Sequence, residues 1–163
     1  MSAATTEAAS GRCLPAAKVR WDGRQCLSEE SGDRYFSPDG AAEVTRVFMS
    51  PVGLAERFRS AKGTFTCGEL GFGTGLNLAV LAGQFCALAP ATARLHVISF
   101  ERAPLSGADM RAMARHWQTE HPVYAEIAEH YPPLLSGWHR LHLCGGRVCL
   151  SLYFGDARDG LAD

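Results

Sequence analysis

A chain of 163 residues, 47% hydrophobic and with a formal net charge of -1, is long enough for one domain with a sizeable core and too apolar for a disordered segment. Its charge balance gives no support to nonspecific nucleic-acid binding through a strongly basic surface, although a local basic patch could still dock a folded RNA. No apolar run suits a membrane span and the N-terminus lacks a basic start followed by an apolar stretch, so no membrane contact and a cytoplasmic location are expected.

Residues 1–17 are small, polar and Ala-rich and read as a flexible leader, which puts the folded unit at 18–163. Val19 to Leu27 holds Asp22-Gly23 between alternating residues, a hairpin signal. Glu29 to Gly40 reads as a loop. Ala41 to Met49 and Leu54 to Ala61 read as two short helices separated at Ser50-Pro51, because proline disfavours helical geometry in the residue before it. Both should lie beside the first core strand.

That strand is Thr64 to Leu70, and Leu76 to Leu88 has apolar residues at helical spacing. Between them runs Glu69-Leu70-Gly71-Phe72-Gly73-Thr74-Gly75-Leu76-Asn77. Glycines at a strand–helix junction let backbone N–H groups approach a ligand, and the helix start adds a field that favours polar or anionic groups. A dinucleotide fold wants G-x-G-x-x-G for a pyrophosphate. Here the pattern is E-x-G-x-G-x-G, which suits S-adenosylmethionine, a nucleoside without pyrophosphate whose amino group an acid can hold.

Arg94 to Phe100 reads as a second buried strand with Glu101 at its end, followed by a helix from Gly107 to about Trp117 capped by Ser106. Pro122 to His130 makes another helix, stopped by Pro132-Pro133. Leu141 to Leu143 and Val148 to Phe154 flank a hairpin turn at Cys144 to Arg147, and Gly155-Asp156 closes the last strand. The six cysteines lack a C-x-x-C pair and read as reduced and structural. Cys144, Cys149, His139 and His142 split between opposite faces of that hairpin, so no metal site is expected. The histidines show no nucleophile–base spacing.

This alternation is the rhythm of a parallel α/β sheet, whose ligands bind beyond the C-terminal strand ends. Glu69, Glu101 and Asp156 all fall there and should share one crevice. Glu101 suits two ribose hydroxyls and Asp156 the exocyclic amine of adenine, each as acceptor. Asp156 before Ala157 also has the chemistry of a helix cap.

The run Gly68 to Asn77 resembles the signature of the methyltransferase domain of MnmC-type tRNA-modifying enzymes. Three further segments agree with it: Asp33-Arg34-Tyr35-Phe36-Ser37 with Gly40 and Glu43; Ile98-Ser99-Phe100-Glu101 with Pro104-Leu105; and Trp138-His139-Arg140 with Leu152 to Asp156. Order and spacing match over about residues 19–160. The resemblance implies a Rossmann-like, S-adenosylmethionine-dependent methyltransferase sheet, first half only, with an N-terminal hairpin and helical segment. It implies methyl transfer to the aminomethyl group of 5-aminomethyl-2-thiouridine at the wobble position of a tRNA substrate, and in many relatives a fused C-terminal oxidase that uses FAD. Tyr35 and Ser37 would come from a segment folding over the cofactor, joining Glu69, Gly71, Gly73, Gly75, Asn77, Glu101 and Asp156. Trp138 and His139 match without an assigned role. The family's Leu-Asp-Gly-Phe-Ala-Pro segment, whose Asp is the expected catalytic group, would lie past Asp163, and a strand that would cover Thr64 to Leu70 is missing from the pattern. A truncated, inactive cofactor-binding or interaction module is therefore the alternative, and no catalytic residue is assigned.

Overall fold

The structure, a computed structural model, describes residues 11–23 and 25–162. Residues 1–10 of the expected leader and Asp163 lie outside that range. From Arg12 onward the leader is anchored: the Leu14 and Ala17 N–H groups donate to the Leu134 and Pro104 carbonyls, each at 2.8 Å, and Leu14 is buried. Leu14, the largest apolar side chain between residues 11 and 17, is what docks it.

Strands β1 (Val19–Asp22) and β2 (Gln25–Ser28) form the expected antiparallel hairpin. The following loop folds back on β2, with the Tyr35 N–H donating to the Cys26 carbonyl at 3.0 Å. Helix α1 (Gly40–Val44) runs into a π-helical turn over Thr45–Met49, a widening the sequence reading missed. There the Ser50 N–H reaches the Thr45 carbonyl, and the Thr45 hydroxyl accepts from the Gln84 side chain at 3.1 Å. After Pro51, α2 (Leu54–Arg59) packs Phe58 edge-on against Phe65 and Phe85, each ring at 5.2 Å.

The main sheet contains β3 (Thr64–Leu70), β4 (Arg94–Glu101), β5 (Gly137–Leu143) and β6 (Val148–Phe154), in the order β3-β4-β6-β5. The first three are parallel, and β5 returns antiparallel on β6. Strand β5 begins at Gly137, four residues before the expected Leu141, because Trp138 pairs with Tyr153 and Arg140 with Ser151. One side of the sheet, carrying Leu95, Val97, Leu150 and Leu152, is buried. Helix α3 (Leu76–Leu88) buries seven residues around its circumference, as a helix enclosed on several sides must. Helices α4 (Gly107–Trp117) and α5 (Val123–Glu129) complete that layer, and a short α6 (Ala157–Gly160) follows β6. Ser106 caps α4 by accepting from the Asp109 N–H at 3.1 Å. The fold is thus α/β and Rossmann-like. Strand β3 forms one border of the sheet, and Leu70 at its end is 75% exposed.

Candidate active site

The parallel strands β3 and β4 end side by side, and the glycine turn leaves β3 at their C-terminal edge. Gly71, Gly73 and Gly75 all have positive φ, at 89°, 54° and 76°. At Gly75 a Cβ would also meet the Phe72 ring at 2.9 Å, so glycine is needed there twice over. The turn is tied to β4 by the Gly71 and Phe72 N–H groups, which donate to the Phe100 carbonyl at 2.9 and 3.0 Å. From below, the buried Tyr124 hydroxyl donates to the Thr74 carbonyl at 3.1 Å. No described side chain caps the start of α3 at Gly75, which leaves first-turn N–H groups for a ligand.

The carboxylates at the C-terminal ends of β3 and β4 flank this turn, and Glu101 holds it directly. Glu101 Oε2 accepts from the Gly73 N–H at 2.7 Å, and its Oε1 accepts from the Ala103 N–H at 2.8 Å. A carboxylate offers about four acceptor positions, so two remain for paired hydroxyls. Glu69 accepts from the Ser99 hydroxyl at 2.8 Å and from the Asn77 amide at 3.3 Å. Burial pushes the Glu69 carboxyl above the usual range, an effect that the nearby Glu101 reinforces and the two hydrogen bonds oppose. A cationic amino group placed there would offset the cost of charging it.

A cavity of about 430 Å³ opens above the turn, lined by Gly71, Gly73 and Asn77 from one side and by Tyr35, Ser37, Gly40 and Glu43 from the other. The Tyr35 ring lies 3.7 Å from where a Cβ on Gly73 would be. Burial, with help from Glu101, raises the Tyr35 phenol, which therefore stays protonated as a donor. Phe36 holds this segment down, its ring 5.3 Å from Trp117 and 5.5 Å from His116. Gly40 permits the close approach of α1 to α3, since a Cβ there would meet Leu76 at 2.9 Å and Phe36 at 3.1 Å.

The structure therefore gathers Tyr35, Ser37, Gly71, Gly73 and Asn77 around one cavity; Gly75, Glu69 and Glu101 stand outside its lining, Gly75 at the helix start, Glu101 bonded to Gly73 and Glu69 bonded to Asn77. Asp156 stands apart from that cavity lining. It caps α6 through the Arg158 N–H at 2.9 Å and pairs with the Arg158 guanidinium at 2.7 Å, which holds its carboxyl far below the usual range. Two contributors escaped the sequence reading. Ser99, a hydroxyl on the inward side of a buried strand, was a visible signal. Tyr124 gave none, because an aromatic on an amphipathic helix reads as core.

No family model matches the chain. Three proteins named tRNA 5-methylaminomethyl-2-thiouridine biosynthesis bifunctional protein MnmC are similar to it. That of Azoarcus sp. (strain BH72) is 43% identical over 132 residues, or 80% of this chain and 21% of that protein. The Chromobacterium violaceum protein is 40% identical over 148 residues, covering 89% and 22%, and that of Pseudomonas aeruginosa 41% over 149 residues, covering 89% and 23%. Among solved structures, that of MNMC2 from Aquifex aeolicus superposes with a TM-score of 0.61 at 22% identity, covering 85% of this chain and 41% of that one, and it supports the fold. The chain spans about a fifth of the length of the curated relatives it matches, and it is related along most of its own sequence to a segment of the MnmC-type tRNA-modifying proteins.

Proposed function

We propose that this chain binds S-adenosylmethionine in the cavity above the glycine turn and serves methyl transfer to the aminomethyl group of 5-aminomethyl-2-thiouridine at the wobble position of tRNA. The observation that carries this reading is the joint grip of Glu101 and the turn: a carboxylate with two acceptor positions left, fixed to the Gly73 N–H beside an uncapped helix start. When bound, the cofactor supplies an electrophilic methyl group on a sulfonium.

The residues present fit such a group. Glu101 would accept from the two ribose hydroxyls, and the Gly71–Gly75 backbone would approach the nucleoside without side chains in the way. The Glu69 and Asn77 side would hold the amino acid portion, where burial has already made a lone negative charge costly. Tyr35 and Ser37 would cover the site and exclude water. The incoming amine must be deprotonated and aligned with the methyl, so enclosing it against the turn contributes mainly through orientation. Asp156, tied to Arg158, would reach an adenine amine only by giving up that pairing. The MnmC relatives carry the word bifunctional in their names and are much longer, which supports an FAD-dependent oxidase as a covalent partner in a longer protein.

Calorimetric titration with S-adenosylmethionine and with NADH, followed by tritium transfer from labelled S-adenosylmethionine to undermodified tRNA, tests the reading. Binding of the sulfonium nucleoside with transfer supports it. Preferred binding of NADH overturns the cofactor, and binding without transfer assigns this chain the binding step alone.

A further inference from the structure

At the opposite end of the sheet from the glycine turn, the parallel strands begin at Thr64, Arg94 and Val148, and a second recess of about 300 Å³ opens there. Arg94, His96, Arg140, His142 and Arg147 line it, and no carboxylate does. On a chain whose formal charge is close to zero, the Arg94 and Arg140 guanidiniums in one recess, with two imidazoles beside them and no carboxylate, form a local concentration of positive potential.

The register explains the cluster. Thr66, His96, Cys149 and His142 are successive partners across the four strands, so His96 and His142 share the side of the sheet opposite the buried Leu95, Val97 and Leu150. Ser151 Oγ lies 2.9 Å from His96 Nε2 and accepts from Arg140 Nη2 at 3.3 Å, which holds both over the recess. Arg147 turns the other way and donates to the carbonyls of Cys86, Ala89 and Pro90 at 3.1 to 3.2 Å, closing the C-terminal end of α3, so its charge is spent there. The ion pairs among the described residues, Arg59 with Glu56 and Arg158 with Asp156, involve none of these groups. Exposed Arg94 and Arg140 therefore present positive charge without a carboxylate partner among the described residues.

We infer that this recess is a phosphate-binding site for a polynucleotide backbone, engaged through Arg94 and Arg140. The inference rests on the proposed RNA substrate only for which polynucleotide occupies it. Arg94 and Glu101 bound the same strand, so recess and turn are separated by about 23 Å. One small molecule cannot touch both, whereas a folded RNA offers a base at one end and phosphates at the other. Guanidiniums suit that role, because their planar fork matches two phosphate oxygens at once.

The test uses the 163-residue chain, a fluorescein-labelled tRNA transcript and anisotropy over a KCl series. The double variant Arg94→Glu, Arg140→Glu should raise Kd about tenfold or more and make the slope of log affinity against log salt shallower by about 2. Arg94→Lys with Arg140→Lys should retain most of the affinity, and S-adenosylmethionine titration should be the same for all variants. Wild-type affinity and slope in the charge-reversed protein would overturn the inference, as would absence of transcript binding by the wild type. Displacement of the transcript by millimolar inorganic phosphate at fixed ionic strength would reassign the recess to a free anion and equally overturn it. Arginine-dependent binding of the transcript, with no methyl transfer to undermodified tRNA in the separate transfer assay, would leave the recess standing and confine the proposed function to the binding step.

Discussion

Replacing Glu101 with alanine removes two short bonds from backbone N–H groups at once, those to Gly73 and Ala103. A hydrogen bond to a charged group contributes about 1.5–3 kcal/mol when enclosed. Glu101 is half-buried, so about 1 kcal/mol for each bond is the appropriate scale. A loss of about 2 kcal/mol in a domain of this size lowers Tm by roughly 4–8 °C. Cofactor affinity should fall further than stability alone requires, because the acceptors for the ribose vanish while the glycine turn loses its fixed shape. Unpaired hydroxyls cost about 1–3 kcal/mol, or roughly five- to 150-fold in Kd. Circular-dichroism melts and calorimetric titration with S-adenosylmethionine read the two effects separately. Glu101→Gln, which keeps one acceptor oxygen, should fall between wild type and Glu101→Ala in both. An unchanged Kd in the alanine variant would remove Glu101 from the binding site, and an unchanged Tm would show that the two bonds do not hold the turn.

Two further outcomes follow from the same turn. The folded protein holds a proton on Glu69 more tightly than the unfolded chain does, so Glu69 favours folding below its ordinary value of 4.5, and that contribution is lost as pH rises through the raised value. Glu69→Gln, which can donate to Ser99 and accept from Asn77, should gain in Tm relative to wild type as pH climbs from about 4 to 8; a difference independent of pH would refute the assignment. Gly75→Ala combines a φ of 76° with a contact at 2.9 Å to Phe72 and should cost about 2–4 kcal/mol, read as a lower denaturation midpoint. A midpoint within error of wild type would show that the turn relaxes freely.

Much of this architecture was legible because it is local. The Asp22-Gly23 hairpin, the break at Pro51, the Ser106 cap and the glycine turn each follow from a few adjacent residues, and all four stand where the sequence puts them. What escaped depends on partners distant in sequence. The start of β5 at Gly137 is set by β6, across the turn, and the docking of Leu14 by Leu134. Asp156 carries a residue type equally suited to adenine and to a helix start, and it is the neighbouring Arg158, reaching back two residues, that draws it to the second role. Glu69 and Asn77, eight residues apart, meet because the helix begins at once after the glycines. Their hydrogen bond was implicit in the spacing, but the third member, Ser99, comes from another strand.

The border position of β3 carries its own consequence for handling the protein. Along that margin alternate residues of the seven-residue strand point amides and carbonyls away from β4, on an element that ends in the exposed Leu70 and lies beside the exposed Phe48 and Val52. Such a seam zips readily to its own copy, so concentrated stocks should gather into sheet-rich aggregates that begin there. A lysine in place of Leu70 would be the simplest way to keep the molecules apart.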